Sequence, residues 1–225
     1  MTKKVDVWGA GSTRSMRVVW TLLEFGLPFT HHAIGSRTGE TLTDAYKALN
    51  PKQKIPTFRH GDLVLSESVA IAQYISEAFP VPAGFLVPDD AAGRAKLNEW
   101  CSFAAMELDA HSLYLVRRHQ HLSHIYGEAP VAVASALEYC EKQLSAMAPR
   151  IAVAAPYVLG AGLSVADVVL MTCVDWAILY GAKVPGPYLA YRERVAERPA
   201  FRQALTQNFP DFVIEDGRIV GEKAK

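Results

Sequence analysis

Hydrophobic positions in the first eighty residues switch between a two-residue and a 3.6-residue rhythm, the signatures of strand and helix. From Lys3 to Trp8, Val5 and Val7 fall on one face of a strand. Ser12 and Thr13 then offer N-cap hydroxyls to a helix carrying Met16, Val19, Trp20 and Leu23, which Gly26 and Pro28 stop. Phe29–Ala33 reads as a second strand, and Asp44–Leu49 as a short helix closed by Asn50-Pro51. Thr57–Arg59 and Leu63–Leu65 are short strands joined through His60-Gly61-Asp62, a hairpin signal. Ser66 opens a helix with Val69, Ile71, Ala72 and Ile75. The predicted order is β-α-β-α-β-β-α.

Pro80, Pro82 and Pro88 around Gly84 mark a boundary. The expected division is an α/β domain over 1–80, a linker over 81–89, and an all-α domain over 90–225. No strand pattern follows the boundary. Leu97, Trp100, Cys101, Ala104, Ala105, Leu108, Leu115 and Val116 mark one long amphipathic helix, and Val131–Met147 a second. Ser164–Tyr180 is so apolar that it predicts a buried central helix. Pro187–Val195 and Pro199–Gln207 are shorter helices, and the charged stretch Glu215–Lys225 reads as a disordered tail.

Composition narrows the function. With 50% hydrophobic residues the chain can bury a substantial core. Its 23 basic and 23 acidic side chains cancel, whereas a duplex-binding surface carries a basic surplus, so no nucleic-acid partner is expected. No segment approaches the ~20 apolar residues of a membrane span, and the N-terminus lacks the apolar run of a secretion signal. Cys101, Cys140 and Cys173 lie far apart, which suits reduced core thiols in a cytoplasmic protein better than disulfides or a zinc site. Of His111, His119, His121 and His124, only His121 and His124 could share a helix face, so no metal is expected.

Gly9-Ala-Gly11-Ser-Thr-Arg14 sits between the first strand and first helix. It has arginine where a dinucleotide-binding G-x-G-x-x-G turn has the third glycine, needed for close helix–strand packing. The second strand ends Thr30-His31-His32-Ala33, without an acid for a ribose hydroxyl. Both features count against nucleotide binding. Ser12, Thr13 and Ser15 instead crowd a helix N-terminus, where amides and the helix dipole favour an anion. Plain N-capping by Ser12 or Thr13 explains the same residues without a ligand.

Two further motifs change that balance. Asn50-Pro-Lys-Gln-Lys54-Ile55-Pro56-Thr57 precedes the third strand, and Ser66-Glu67-Ser68-Val-Ala-Ile71 follows the hairpin. With the hydroxyls before the first helix and Gly162-Leu-Ser164-Val-Ala-Asp167 farther on, the chain resembles the glutathione transferase superfamily over essentially its whole length. The resemblance implies a thioredoxin-like N-terminal domain, an all-helical C-terminal domain, a homodimer, and glutathione as co-substrate. It also implies a cis bond at Pro56, a form taken by only about 5% of X-Pro bonds. On this resemblance, the Ile55 backbone pairs with the cysteinyl part of glutathione. Ser68 and nearby amides hold the γ-glutamyl carboxylate. Glu67 holds the ammonium, and Lys54 reaches the glycyl carboxylate.

The activating hydroxyl is left among three candidates. Counted back from Arg17, Thr13 falls where many serine-type bacterial and theta-like members place their serine. Ser12 aligns with the first serine of the zeta pattern S-S-C-x-x-R, although Arg14 stands in place of its cysteine. Ser15 lies two residues before Arg17. No cysteine occurs before Cys101, so a mixed disulfide at this turn is impossible. A free thiol titrates near ~8.5, and lowering that by about two units corresponds to about 2.7 kcal/mol. The electrophile, a hydrophobic small molecule, is expected between the domains, with Trp8, Tyr114, Arg117, Arg118, Trp176 and Tyr180 as candidate wall residues. Three roles stay open: a transferase, a glutathione-dependent isomerase or lyase (maleylacetoacetate isomerisation, dehalogenation or ether cleavage), and a non-catalytic glutathione carrier.

Overall fold

Strand β1 (Val5–Trp8) is one of two central strands of a four-stranded sheet ordered β2-β1-β3-β4. β2 (Thr30–His32) runs parallel to it, reached through helix α1 (Thr13–Glu24). β3 (Thr57–His60) and β4 (Leu63–Ser66) are antiparallel and follow the short helix α2 (Asp44–Leu49). α3 (Ser68–Ala78) then packs against α1. Val7 and Phe58 are register partners, so they share a face, and both are fully buried. Ser66, expected to open α3, instead ends β4, because Glu67 takes a left-handed φ of +86° between strand and helix. The structure is a computed structural model and describes residues 4–154 and 156–222. Its chain divides into two units, one running to Phe85 and resumed from Ala196, the other Leu86–Val195.

The second unit is helical. α4 is α-helical over Ala91–Ser102 and continues through π-helical turns at Phe103–Leu113 and Arg117–His121, with an α-helical turn at Tyr114–Val116 between them. It therefore extends the expected helix at both ends. α5 (Ser123–Tyr126) and α6 (Pro130–Val153) follow. α6 passes its expected end at Met147 and contains Pro149. Proline removes one hydrogen bond there, but the last turn has other anchors. Ile151 is buried, and the Arg150 guanidinium makes two 2.9 Å bonds to Glu99 while lying 4.7 Å over the Trp100 ring. α7 (Val165–Leu179) is buried almost all round, as its apolar sequence implies, and α8 (Gly186–Ala196) follows. No helix among the described residues is long and apolar enough to cross a membrane. Cys101, Cys140 and Cys173 are buried, and none is in a disulfide. Burial, and then Glu141, pushes the Cys140 thiol up to about 12, so it keeps its proton at neutral pH.

From Ala196 the chain rejoins the first unit, so the boundaries differ from the expected 1–80 and 90–225. α9 (Pro199–Asn208) lies along α1. The Trp20 and Phe201 rings meet edge to face at 5.0 Å. The Arg198 guanidinium reaches both carboxylate oxygens of Glu24, at 2.7 and 2.6 Å. This return explains why every residue from Ser15 to Leu22 is buried, rather than the one face that the spacing of Met16, Val19, Trp20 and Leu23 predicts. The expectation that no strand follows residue 80 is corrected by a hairpin, β5 (Phe212–Glu215) and β6 (Arg218–Glu222). Its turn is Asp216-Gly217, with φ of +47° and +68°. That is the two-residue turn whose backbone matches strand twist. The expected disordered tail is thus a paired strand as far as Glu222, and residues 223–225 lie outside the described residues.

Candidate active site

Two glycines shape the turn after β1. At Gly9 (φ +129°) an added Cβ would stand 2.6 Å from Ser15 Oγ and 2.8 Å from Ile55 Cβ. The turn, the first turn of α1 and the loop before β3 therefore meet at one point. The glycine serves a close approach of chain segments. Gly11 (φ +65°) leads into Ser12, the N-cap of α1. The Ser12 hydroxyl accepts from the Ser15 N–H at 3.0 Å, and the two hydroxyls lie 2.8 Å apart. Ser15 has no exposed surface, Ser12 keeps 7%, and Thr13 is half-buried.

The second segment is the loop before β3. Its Ile55–Pro56 peptide is cis. Asn50 and Tyr46 brace it from α2. The Lys54 carbonyl accepts from the Tyr46 hydroxyl at 2.7 Å and from Asn50 Nδ2 at 2.9 Å. Asn50 Nδ2 also donates to Thr57 Oγ1 at 2.9 Å. The Ile55 N–H and C=O have no hydrogen-bond partner among the described residues. Pro56 is buried, and the Lys54 side chain is exposed.

The third segment is the N-terminus of α3. Glu67 occupies the cap position but makes no side-chain capping bond. Its carboxylate instead pairs with Lys52, so Lys52 rather than Lys54 stands beside it. Ser68 is buried and accepts from Arg17 Nη1 at 3.2 Å. Arg17, itself buried, served in the sequence only as the landmark for counting back to the hydroxyls, with no role of its own. Its helical phase relative to Ser15 was available, but its partner lies 51 residues away. The contrast between the helices matters. α1 is capped by its own serine, whereas the first-turn amides of α3 have no side-chain acceptor from the cap.

Trp8 lies on the opposite sheet face from Val5 and Val7. Its ring stacks on His32 at 4.5 Å, and the Arg59 guanidinium lies 5.1 Å over it. Both partners also reach the buried Asp6 carboxylate, at 2.9 and 3.1 Å. Burial alone would raise the Asp6 pKa, but hydrogen bonds from His32, Arg59 and Lys4 outweigh it and hold it below the usual value. Trp8 is thus engaged in a polar network of the sheet.

The profile of the family described as Glutathione S-transferase, N-terminal domain matches residues 3–77. A theta class glutathione S-transferase from Xanthomonas axonopodis pv. citri, solved with glutathione bound, superposes with a TM-score of 0.77 at 25% identity, over 90% of this chain and 97% of that one. Glutathione S-transferase theta-1 of Bos taurus is 29% identical over 84% of this chain and 80% of its own length. Residues 3–77 belong to the glutathione S-transferase N-terminal domain family, and the chain is similar to theta class members over most of its length. Maleylpyruvate isomerase of Ralstonia sp is 32% identical over 58% of this chain, which spans 59% of that protein's length.

The remaining candidates lie in the helical unit, and only some come together. Tyr180 stacks on His121 at 4.1 Å and meets Trp176 edge to face at 5.7 Å. Burial, and then the Arg117 charge, lowers the His121 pKa. Burial raises that of Tyr180, opposed by a hydrogen bond with Trp176 and by Arg117. Arg117, His121, Trp176 and Tyr180 thus form one cluster. Arg118 is exposed and turned over the Tyr126 ring at 4.6 Å, and Tyr114 is half-buried on α4. Sequence reading weighed His121 only as a metal ligand, and its four-residue spacing from Arg117 was the available signal. Among the described residues no group of three His, Cys, Asp or Glu is placed to hold a metal.

Proposed function

We propose that this protein is a glutathione transferase in which Ser12 keeps the glutathione thiol ionised for attack on an electrophilic small molecule. The observation that carries the reading is the meeting of three segments: Gly9 lies against Ser15 and Ile55, and Arg17 ties α1 to Ser68. Ile55 offers backbone groups for the cysteinyl residue of glutathione. Ser68 and the amides of α3 suit the γ-glutamyl carboxylate, Glu67 its ammonium, and Lys54 the glycyl carboxylate. Lys52 neutralises Glu67 until the ammonium competes for it.

Among the hydroxyls, Ser12 is the donor favoured by geometry. Ser15 has no exposed surface; its hydroxyl oxygen accepts the Ser12 proton at 2.8 Å, and it can donate to Ser12 Oγ in turn once that proton points to the sulfur. Thr13 starts the helix and adds its amide. With the N-terminus of α1 behind it, the Ser12 hydroxyl stabilises the thiolate by a charge-assisted hydrogen bond. The buried cysteines, none of them in a disulfide, suit a reducing, cytoplasmic setting. We also propose a homodimer. Leu63 and Val64 are each 39% exposed on the edge strand β4, and apolar side chains on a sheet edge favour association. Light scattering at micromolar concentration is expected to give twice the chain mass, and a single-chain mass would remove the dimer.

Ultraviolet titration of bound glutathione tests the chemistry. The thiolate is expected well below pH 8 in the wild type. Ser12→Ala should raise its pKa by about one to two units, which from about 6.5 is a loss of roughly 3- to 25-fold in thiolate at pH 7. Thr13→Ala should leave it within about 0.3 units on the same scale. Tight binding with a thiol still near ~8.5 would make the protein a carrier instead. The maleylpyruvate isomerase relative favours one second reading, a glutathione-dependent isomerase using the same thiolate. There the thiolate adds to the substrate and leaves again, so glutathione is not consumed.

A further inference from the structure

We infer that Asn208, the last residue of α9, is a positioning residue for thiol activation; the inference rests on the reading of Ser12 above. Asn208 is fully buried, and it brackets the turn before α1 with two hydrogen bonds. Its Nδ2 donates to the Ser12 carbonyl at 3.0 Å, across 196 residues of sequence. Its own carbonyl accepts from the Gly11 N–H at 2.7 Å.

These bonds hold the peptide units on both sides of Gly11-Ser12. They fix the extended backbone of Ser12 (φ −136°, ψ 144°), and with it the direction of the hydroxyl. The Ser12 carbonyl also accepts the first helical bond of α1, from Met16 N–H at 3.0 Å. A second donor on that oxygen polarises the other end of the same peptide. That end is the Thr13 N–H, one of the helix-terminal donors facing the thiolate. Asn208 therefore acts on the sulfur through Ser12 and Thr13 without touching it.

A packing role alone does not account for the amide. Asn208 Oδ1 is buried and has no hydrogen-bond partner among the described residues. An unsatisfied buried acceptor costs free energy that an apolar side chain of similar volume would not. Turning the amide over would only set oxygen against the Ser12 carbonyl. The group is retained for its one donated bond.

Asn208→Leu separates positioning from packing. The variant is expected to melt at or above the wild-type temperature, while the pKa of bound glutathione rises by about one unit, which from about 6.5 is roughly a threefold loss of thiolate at pH 7. The kcat should fall about threefold at pH 7 and recover at alkaline pH, with KM for glutathione within about twofold. That shifted pH profile is a readout a purely structural role would not move. Should leucine fail to fold, Asn208→Ala removes the same donor without overfilling the site or adding a charge, and it is expected to give the same shift. A folded variant with the wild-type thiol pKa and pH–rate profile overturns the inference. Wild-type bound glutathione titrating near ~8.5 would instead strike the Ser12 reading itself, before any variant is made, and this inference with it.

Discussion

Asp167→Ala is expected to destabilise the helical unit by more than about 4 kcal/mol, because it removes one acceptor from four buried donors. Asp167 Oδ1 accepts from the Val158 N–H at 2.8 Å and the Tyr191 hydroxyl at 2.9 Å. Oδ2 accepts from the Ser164 N–H at 2.9 Å and the Ser164 hydroxyl at 2.6 Å. Each donor left unsatisfied costs roughly 1–3 kcal/mol, and loss of the capping box adds about 1 more. Burial raises the Asp167 pKa against the pull of these four bonds. Burial, and then the Asp167 carboxylate, holds the Tyr191 phenol well above its ordinary value, so it stays a donor. Asp167→Asn keeps the shape but turns an amide N–H toward donors on one side, and should recover less than half of the loss. Urea unfolding followed by circular dichroism measures both. A change under about 1 kcal/mol for alanine would mean the donors find other acceptors, contrary to this account.

Asp167 is also where the sequence was most legible. Ser164 and Asp167 stand three residues apart before an apolar run, so the cap and the buried helix could be read together. The segments proposed to hold glutathione are equally local. Asn50 to Thr57 and Ser66 to Ile71 each carry their pattern within eight residues, and the cis bond at Pro56 matches the implied one. Arg17 and Asn208 were not legible for the opposite reason. Their meaning lies in partners 51 and 196 residues away, and no local rhythm encodes that. The hairpin was a different kind of miss. Asp216-Gly217 is a strong turn signal, but Glu215, Asp216 and Arg218 around it read as a solvated charge run, which masked the apolar positions of Phe212, Ile214 and Ile219. The helical cluster was half legible. Trp176 and Tyr180 share a helical face by spacing, whereas their approach to Arg117 and His121 depends on how α4 and α7 pack.

Truncating Arg198 to alanine is expected to cost about 3–5 kcal/mol, because it strands a carboxylate inside the first unit. The Glu24 side chain is only 6% exposed, and Arg198 keeps 22%. Trp20 Nε1 donates to the same Glu24 oxygen at 2.7 Å, so one neutral donor remains where two charged ones are lost. The pair is nonetheless weak evidence of net stabilisation, since two charges had to leave water to form it. Replacing both residues together, Glu24→Leu with Arg198→Leu, should therefore lie within about 1 kcal/mol of the wild type or above it. Guanidinium unfolding of both single variants and the double variant measures this coupling. Equal losses for Arg198→Ala and the double variant would show that helix packing, not the stranded charge, sets the cost. The same set reaches the chemistry. Arg198 begins α9 and Asn208 ends it, so loosening the helix on α1 should also lower the thiolate fraction of bound glutathione, whereas the double variant, with α9 seated again, should restore it.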